Sequence, residues 1–85
     1  MSETDDATVF ARVCDVVVEV FKTDHTSLSP ETTRRDIEAW DSLGHVMLMM
    51  RLEKTFGIRF SSADIGQPQT VAQLCELVET TRRSV

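Results

Sequence analysis

Residues 42–56 read SLGHVMLMMRLEKTF, and this stretch decides the fold. At about 100° per residue its apolar side chains separate into two stripes. Leu48, Met49, Leu52 and Phe56 form one; Leu43, Val46, Met47 and Met50 form the other, nearly opposite. Both cannot face one core. Lys54 follows Met50 by one turn within the second stripe, which points that stripe outward and leaves the stripe ending in Phe56 as the core face. Asp41 is a good N-cap and Gly57 a good C-terminal stop, so the spacing predicts a helix over 42–56, about 22 Å long. An outward Leu–Val–Met–Met stripe points to contact with something. Methionine is flexible and polarizable, which suits a surface that repacks against different partners. The alternative places Val46, and less readily Met47, beneath a loop against Ile37 or Trp40.

Working outward, the segment Asp6–Lys22 carries Val9, Phe10, Val13, Val17, Val20 and Phe21 at helical spacing, with acidic residues at its start to complement the helix dipole. Its valines are poor helix formers, but the 3.6 period and the interspersed Arg12, Asp15 and Glu19 favour helix over strand. Residues 23–41 are mostly polar and longer than a usual connection, so this loop is either functional or pinned by its own side chains. Leu28, Ile37 and Trp40 are the candidate pins, and Ser29-Pro30 could open a short helical turn. After Gly57, a short turn is expected around Ser62–Ile65. Thr70-Val71-Ala72-Gln73 then reads as a capping box opening a last helix, with Val71, Leu74, Leu77 and Val78 as its apolar stripe and Arg82 and Arg83 near its end. The expected fold is all-α: a small four-helix bundle of three main helices and one short one, with a long loop after the first.

The 85 residues fit one domain over 1–85, with its core at about 6–81 and frayed ends. The formal charge of −5 argues against a nucleic-acid binder, which needs a basic face to displace counterions. No apolar run approaches the roughly 20 residues that span a bilayer, and the N-terminus has no basic n-region or long h-region, so the cytoplasm is the expected location. Cys14 and Cys75 are too few and too far apart for a disulfide framework or a zinc site, and read as small core residues. So small a chain leaves little room for both a core and an enclosed active site.

Ser42 lies at the start of the 42–56 helix, where unpaired N–H groups and the positive dipole end favour an anion such as a phosphate ester. Taken alone, a Ser following an Asp at a helix start is more often simple cap chemistry. His25 and His45 are the only candidates for a base. His45 is about 60° round the helix from Ser42 and no oxyanion loop is visible, so nucleophilic catalysis has no support. His45 is better read as a helix-surface or loop-packing residue.

The run Trp40-Asp41-Ser42-Leu43-Gly44-His45-Val46 resembles the Asp-Ser-Leu motif of acyl carrier proteins, whose serine is esterified with 4′-phosphopantetheine. The resemblance continues through Leu52-Glu53-Lys54-Thr55-Phe56-Gly57-Ile58-Arg59-Phe60, the short helix ending near Ile65, and Thr70-Val71, so it covers about Val9 to Val78. Peptidyl carriers are similar but commonly place Gly-Gly-His or Gly-Gly-Asp before Ser-Leu; Ala39-Trp40-Asp41 fits acyl carriers better. The resemblance implies that Ser42 is the attachment site and that Asp41 caps the helix and helps present the serine to the modifying transferase and its metal. It implies that Leu43, Val46, Met47 and Met50 dock partner enzymes. A phosphopantetheinyl transferase would move the arm from coenzyme A to Ser42, forming a phosphodiester. The arm's thiol would then carry acyl groups as thioesters to an acyltransferase or ligase, a ketosynthase or similar enzymes. The chain itself would be a non-catalytic monomer with no metal of its own.

One departure bears on pathway. Fatty-acid-type carriers have a strongly acidic second helix, whereas here only Asp41 and Glu53 are acidic, and Gly44, Met47, Arg51 and Lys54 stand at positions often acidic or neutral. Docking should then rely more on apolar contact than on charge steering. This favours a dedicated carrier of a specialised pathway, such as polyketide or mixed polyketide–peptide assembly, over the housekeeping fatty-acid carrier. The rival readings are an aminoacyl or peptidyl carrier with the same arm, and an unmodified helical interaction module in which Ser42 only caps.

Overall fold

The computed structural model describes residues 6–83. Of the ends expected to fray, residues 1–5 and 84–85 lie outside the described residues, as do the acidic side chains expected at the start of the first helix, whereas Arg82 and Arg83 complete the last helix. Four α-helices follow in order: α1 (Asp6–Phe21), α2 (Ser42–Phe56), α3 (Ser62–Ile65) and α4 (Val71–Arg83), with a single 3-10 turn at His25–Ser27. The described residues contain no strand, so the all-α bundle expected from periodicity is the fold.

The first helix packs against both α2 and α4. Its valines cost up to about 0.7 kcal/mol each in helix propensity. Val9, Val13, Val16 and Val17 are buried, and full burial of such a side chain returns roughly 1.5–3 kcal/mol. Tertiary packing therefore decides the conformation. The helix stops at Phe21 rather than Lys22, because Lys22 adopts a left-handed φ of 57° that no glycine announces. Across the core stand Leu48, Met49 and Leu52 of α2 and Val71, Leu74 and Val78 of α4, with Phe56, Leu77 and Cys75 half-buried against them. Phe56 also lies against two cations, the guanidinium carbons of Arg12 and Arg82 standing 4.4 and 5.6 Å from its ring centroid. Gly57 closes α2 at φ 66°, and the N–H groups of Gly57 and Ile58 both donate to the Glu53 carbonyl, the left-handed stop expected there.

The long loop is pinned more firmly than its side chains foretell. Trp40 is buried and Leu28 and Ile37 pack on the core, as expected. Backbone bonds add a second attachment: the Val71 and Ala72 N–H groups at the start of α4 donate to the Thr32 and Pro30 carbonyls at 3.0 and 2.9 Å, and Thr33 pairs with Thr70 in one antiparallel bridge. The loop thus satisfies amides that a helix start leaves unpaired. Ser29-Pro30 does not open a helical turn. It forms a β-turn, with Thr32 N–H donating to the Ser29 carbonyl (3.1 Å) and Ser29 N–H donating to Thr32 Oγ1 (2.9 Å). The helical turn of this loop lies upstream, at His25–Ser27. The capping box at α4 is also modified: Gln73 N–H donates to Thr70 Oγ1 (3.1 Å), but Gln73 Oε1 accepts from Gln69 N–H (2.7 Å), one residue beyond the expected partner.

Candidate functional site

The site forms where the long loop turns into α2. Asp41 is extended (φ −96°, ψ −168°), and its carboxylate accepts the Gly44 N–H at 2.8 Å while its carbonyl accepts the His45 N–H at 2.8 Å. These bonds hold the first turn in register. Ser42, the first residue of the helix, is exposed. By helix geometry the N–H groups of Ser42 and Leu43 have no intrahelical acceptor, so the hydroxyl stands at the positive end of the dipole. An exposed hydroxyl there can hold a phosphodiester without burying its charge, so the residues present fit a phosphate-linked group.

Two features that periodicity does not reveal fix this turn. A Cβ at Gly44 would stand 2.0 Å from the Ala39 carbonyl oxygen and 3.0 Å from the Phe21 ring. Glycine in a helix costs about 1 kcal/mol against alanine; here it lets the loop backbone pass in contact with the helix. The second feature is His45. Its ring is buried between loop and α3: Trp40 Nε1–H donates to Nδ1 at 2.8 Å, and Nε2 lies 2.5 Å from the Ile65 carbonyl oxygen. A carbonyl only accepts, so the proton is on Nε2 and the imidazole is neutral. The Trp40 ring stacks on both Phe21 and His45, at centroid distances of 5.9 and 6.2 Å. One side chain thereby ties three segments around Ser42. Of the two readings for His45, surface or loop packing, the structure takes the second. A glycine three residues after a helix cap and a Trp–His pair flanking it were the available signals.

Among the described residues no base attends the serine. Both nitrogens of His45 are engaged, and His25 sits elsewhere, its Nε2 2.7 Å from Asp15 on exposed surface. Ser42 Oγ makes no hydrogen bond to a described residue. Among the described residues no group of three potential metal ligands converges, and no helix is long and apolar enough to cross a membrane. Leu43, Val46, Met47 and Met50 are 70%, 47%, 52% and 62% exposed, so the outward stripe packs beneath no loop. Cys14 is a buried core residue; burial, and then the neighbouring Asp15 charge, raise its thiol pKa.

The structure is a helical bundle that presents an exposed serine hydroxyl at the start of its second helix, behind an aspartate cap. Residues 11–78 match the family model described as the phosphopantetheine attachment site. The chain is 30% identical over 73 residues to the acyl carrier protein of Lactobacillus johnsonii, covering 85% of this chain and 90% of that one. It superposes with a TM-score of 0.78 and 30% identity on the solution structure of a holo acyl carrier protein from Geobacter metallireducens, covering 89% of this chain and 87% of that chain. The chain belongs to the phosphopantetheine-binding family of acyl carrier proteins, and its cofactor is covalently attached 4′-phosphopantetheine.

Proposed function

We propose that Ser42 carries the phosphopantetheine group and that the chain, a single carrier domain over 1–85, shuttles acyl intermediates of polyketide or related specialised biosynthesis without catalysing a reaction itself. The observation that carries this reading is the exposed Ser42 at the first position of α2, beside an Asp41 whose carboxylate is engaged in the cap. When bound, the group supplies a terminal thiol that holds an acyl chain as a thioester. Ser42 Oγ provides the ester oxygen. The first-turn amides and the dipole favour the phosphate charge beside it by about 0.3–1 kcal/mol. Asp41 holds the turn that presents the hydroxyl, and the Trp40–His45–Ile65 chain fixes the turn against the bundle. Leu43, Val46, Met47 and Met50 form the surface on which a phosphopantetheinyl transferase and acyl-loading and acyl-processing enzymes dock. Delivery is the protein's contribution: a tethered substrate meets each enzyme at high effective concentration. The sparsely acidic α2 favours a specialised pathway over the fatty-acid one. Intact mass after incubation with coenzyme A and a broad-specificity transferase tests the assignment. A gain of one phosphopantetheine that disappears in Ser42→Ala is expected; an equal gain in the variant would refute it.

A further inference from the structure

The charges along α2 leave no carboxylate within its apolar stripe. Glu53, the one acidic residue within the helix, is turned into the following loop, where Glu53 Oε2 accepts the Phe60 N–H at 2.8 Å. Asp41, just before it, gives one carboxylate oxygen to the Gly44 N–H and stays exposed at the serine end. Arg51 is neutralised by Glu19 of α1, 2.6 Å away. Lys54 is exposed, makes no ion pair with a described residue, and continues the outward line of Leu43, Val46, Met47 and Met50. The face is therefore an apolar stripe with the proposed loading serine at one end and a cation at the other. At about 1.5 Å per residue Lys54 lies roughly 18 Å along the axis from Ser42.

We propose that the partner enzymes of this carrier present an apolar depression edged by a carboxylate that pairs with Lys54, roughly 18 Å from the opening that receives the Ser42 substituent. Along this helix a basic partner face finds the exposed Asp41 at the serine end and the half-buried Glu53, and is repelled by Lys54 at the far end, so charge selects against it there. The proposal rests on Ser42 being the loading site. It is tested with coenzyme A and two phosphopantetheinyl transferases, one with a basic carrier-contacting face and one with an apolar face edged by carboxylates. Mass gain at Ser42 is followed to give kcat/KM at low and high salt. With the second enzyme, a tenfold rise in salt should lower kcat/KM by about threefold, Lys54→Glu by about tenfold, and Lys54→Arg should retain the rate. With the first, Lys54→Glu should raise the rate. Circular dichroism should be unaltered and melting only slightly lowered by Lys54→Glu, since Lys54 is exposed but its charge favours the C-terminal end of α2. Loading of Ser42 that is indifferent to Lys54, or a basic-faced enzyme that loses rate with salt, overturns the docking proposal alone. No gain with either enzyme overturns the loading assignment along with it.

Discussion

Gly44 and His45 carry the tightest constraints on the turn that bears Ser42. A methyl group at Gly44 would overlap the Ala39 carbonyl at 2.0 Å, so Gly44→Ala must push the loop off the helix. Overpacking of this kind costs about 1–3 kcal/mol, and helix propensity returns only about 1. A lowered urea midpoint is therefore the expected outcome, and an unchanged or raised midpoint would show that the loop yields freely. His45→Ala leaves the buried Trp40 indole N–H without its acceptor and opens a void. A loss of about 2–4 kcal/mol in chemical denaturation is expected, with no loss meaning that the Trp40–His45 bond is incidental. Cys14 gives a pH signature. Folding raises its thiol pKa through burial and then the Asp15 charge, so the folded chain holds that proton more tightly than the unfolded one. The associated stability is full below the ordinary thiol value of 9.0 and is lost as pH rises past it. Stability measured from pH 8 upward should fall more steeply for the natural chain than for Cys14→Ala; parallel curves would contradict this.

At the scale of elements, α2 was the most legible part of the chain and the loop before it the least. The two stripes of α2 separate on sequence alone because a lysine marks the outward one, and the structure buries Leu48, Met49 and Leu52 while exposing Leu43, Val46, Met47 and Met50. Met47→Glu should accordingly leave helicity and melting temperature nearly unchanged and slow loading by the apolar-faced transferase severalfold. A large loss of stability would place Met47 in the core. The place of Ser42 at a capped helix start was equally legible, but Asp41-Ser42-Leu43 alone reads as cap chemistry, and a role for the serine came only with the resemblance over about Val9 to Val78. The Trp40–His45–Ile65 chain was not, because its last link joins residues 20 apart in sequence, and burial of a histidine leaves no periodic trace. The loop's attachment to α4 is made by the backbone carbonyls of Pro30 and Thr32, which any sequence possesses, so no residue type announces it. The β-turn at Ser29-Pro30 shows the same ambiguity, as a proline after a serine serves a turn as well as a helix start.

At the scale of the molecule, the bundle separates two tasks. Its interior, built from α1, α2 and α4, holds the backbone, and its outer α2 face carries a serine, an apolar stripe and a terminal cation. The fold class followed from periodicity because each long segment repeats its apolar residues at helical spacing, including the two-striped 42–56 segment. The family assignment adds the cofactor, while the charge pattern of α2 bears on which enzymes the carrier meets. The central claim concerns one oxygen atom. Peptide-level mass spectrometry of the chain loaded from coenzyme A should place the phosphopantetheine on the fragment containing Ser42 and on no other. Its appearance on Ser27, Ser29, Ser61 or Ser62 instead would contradict the account.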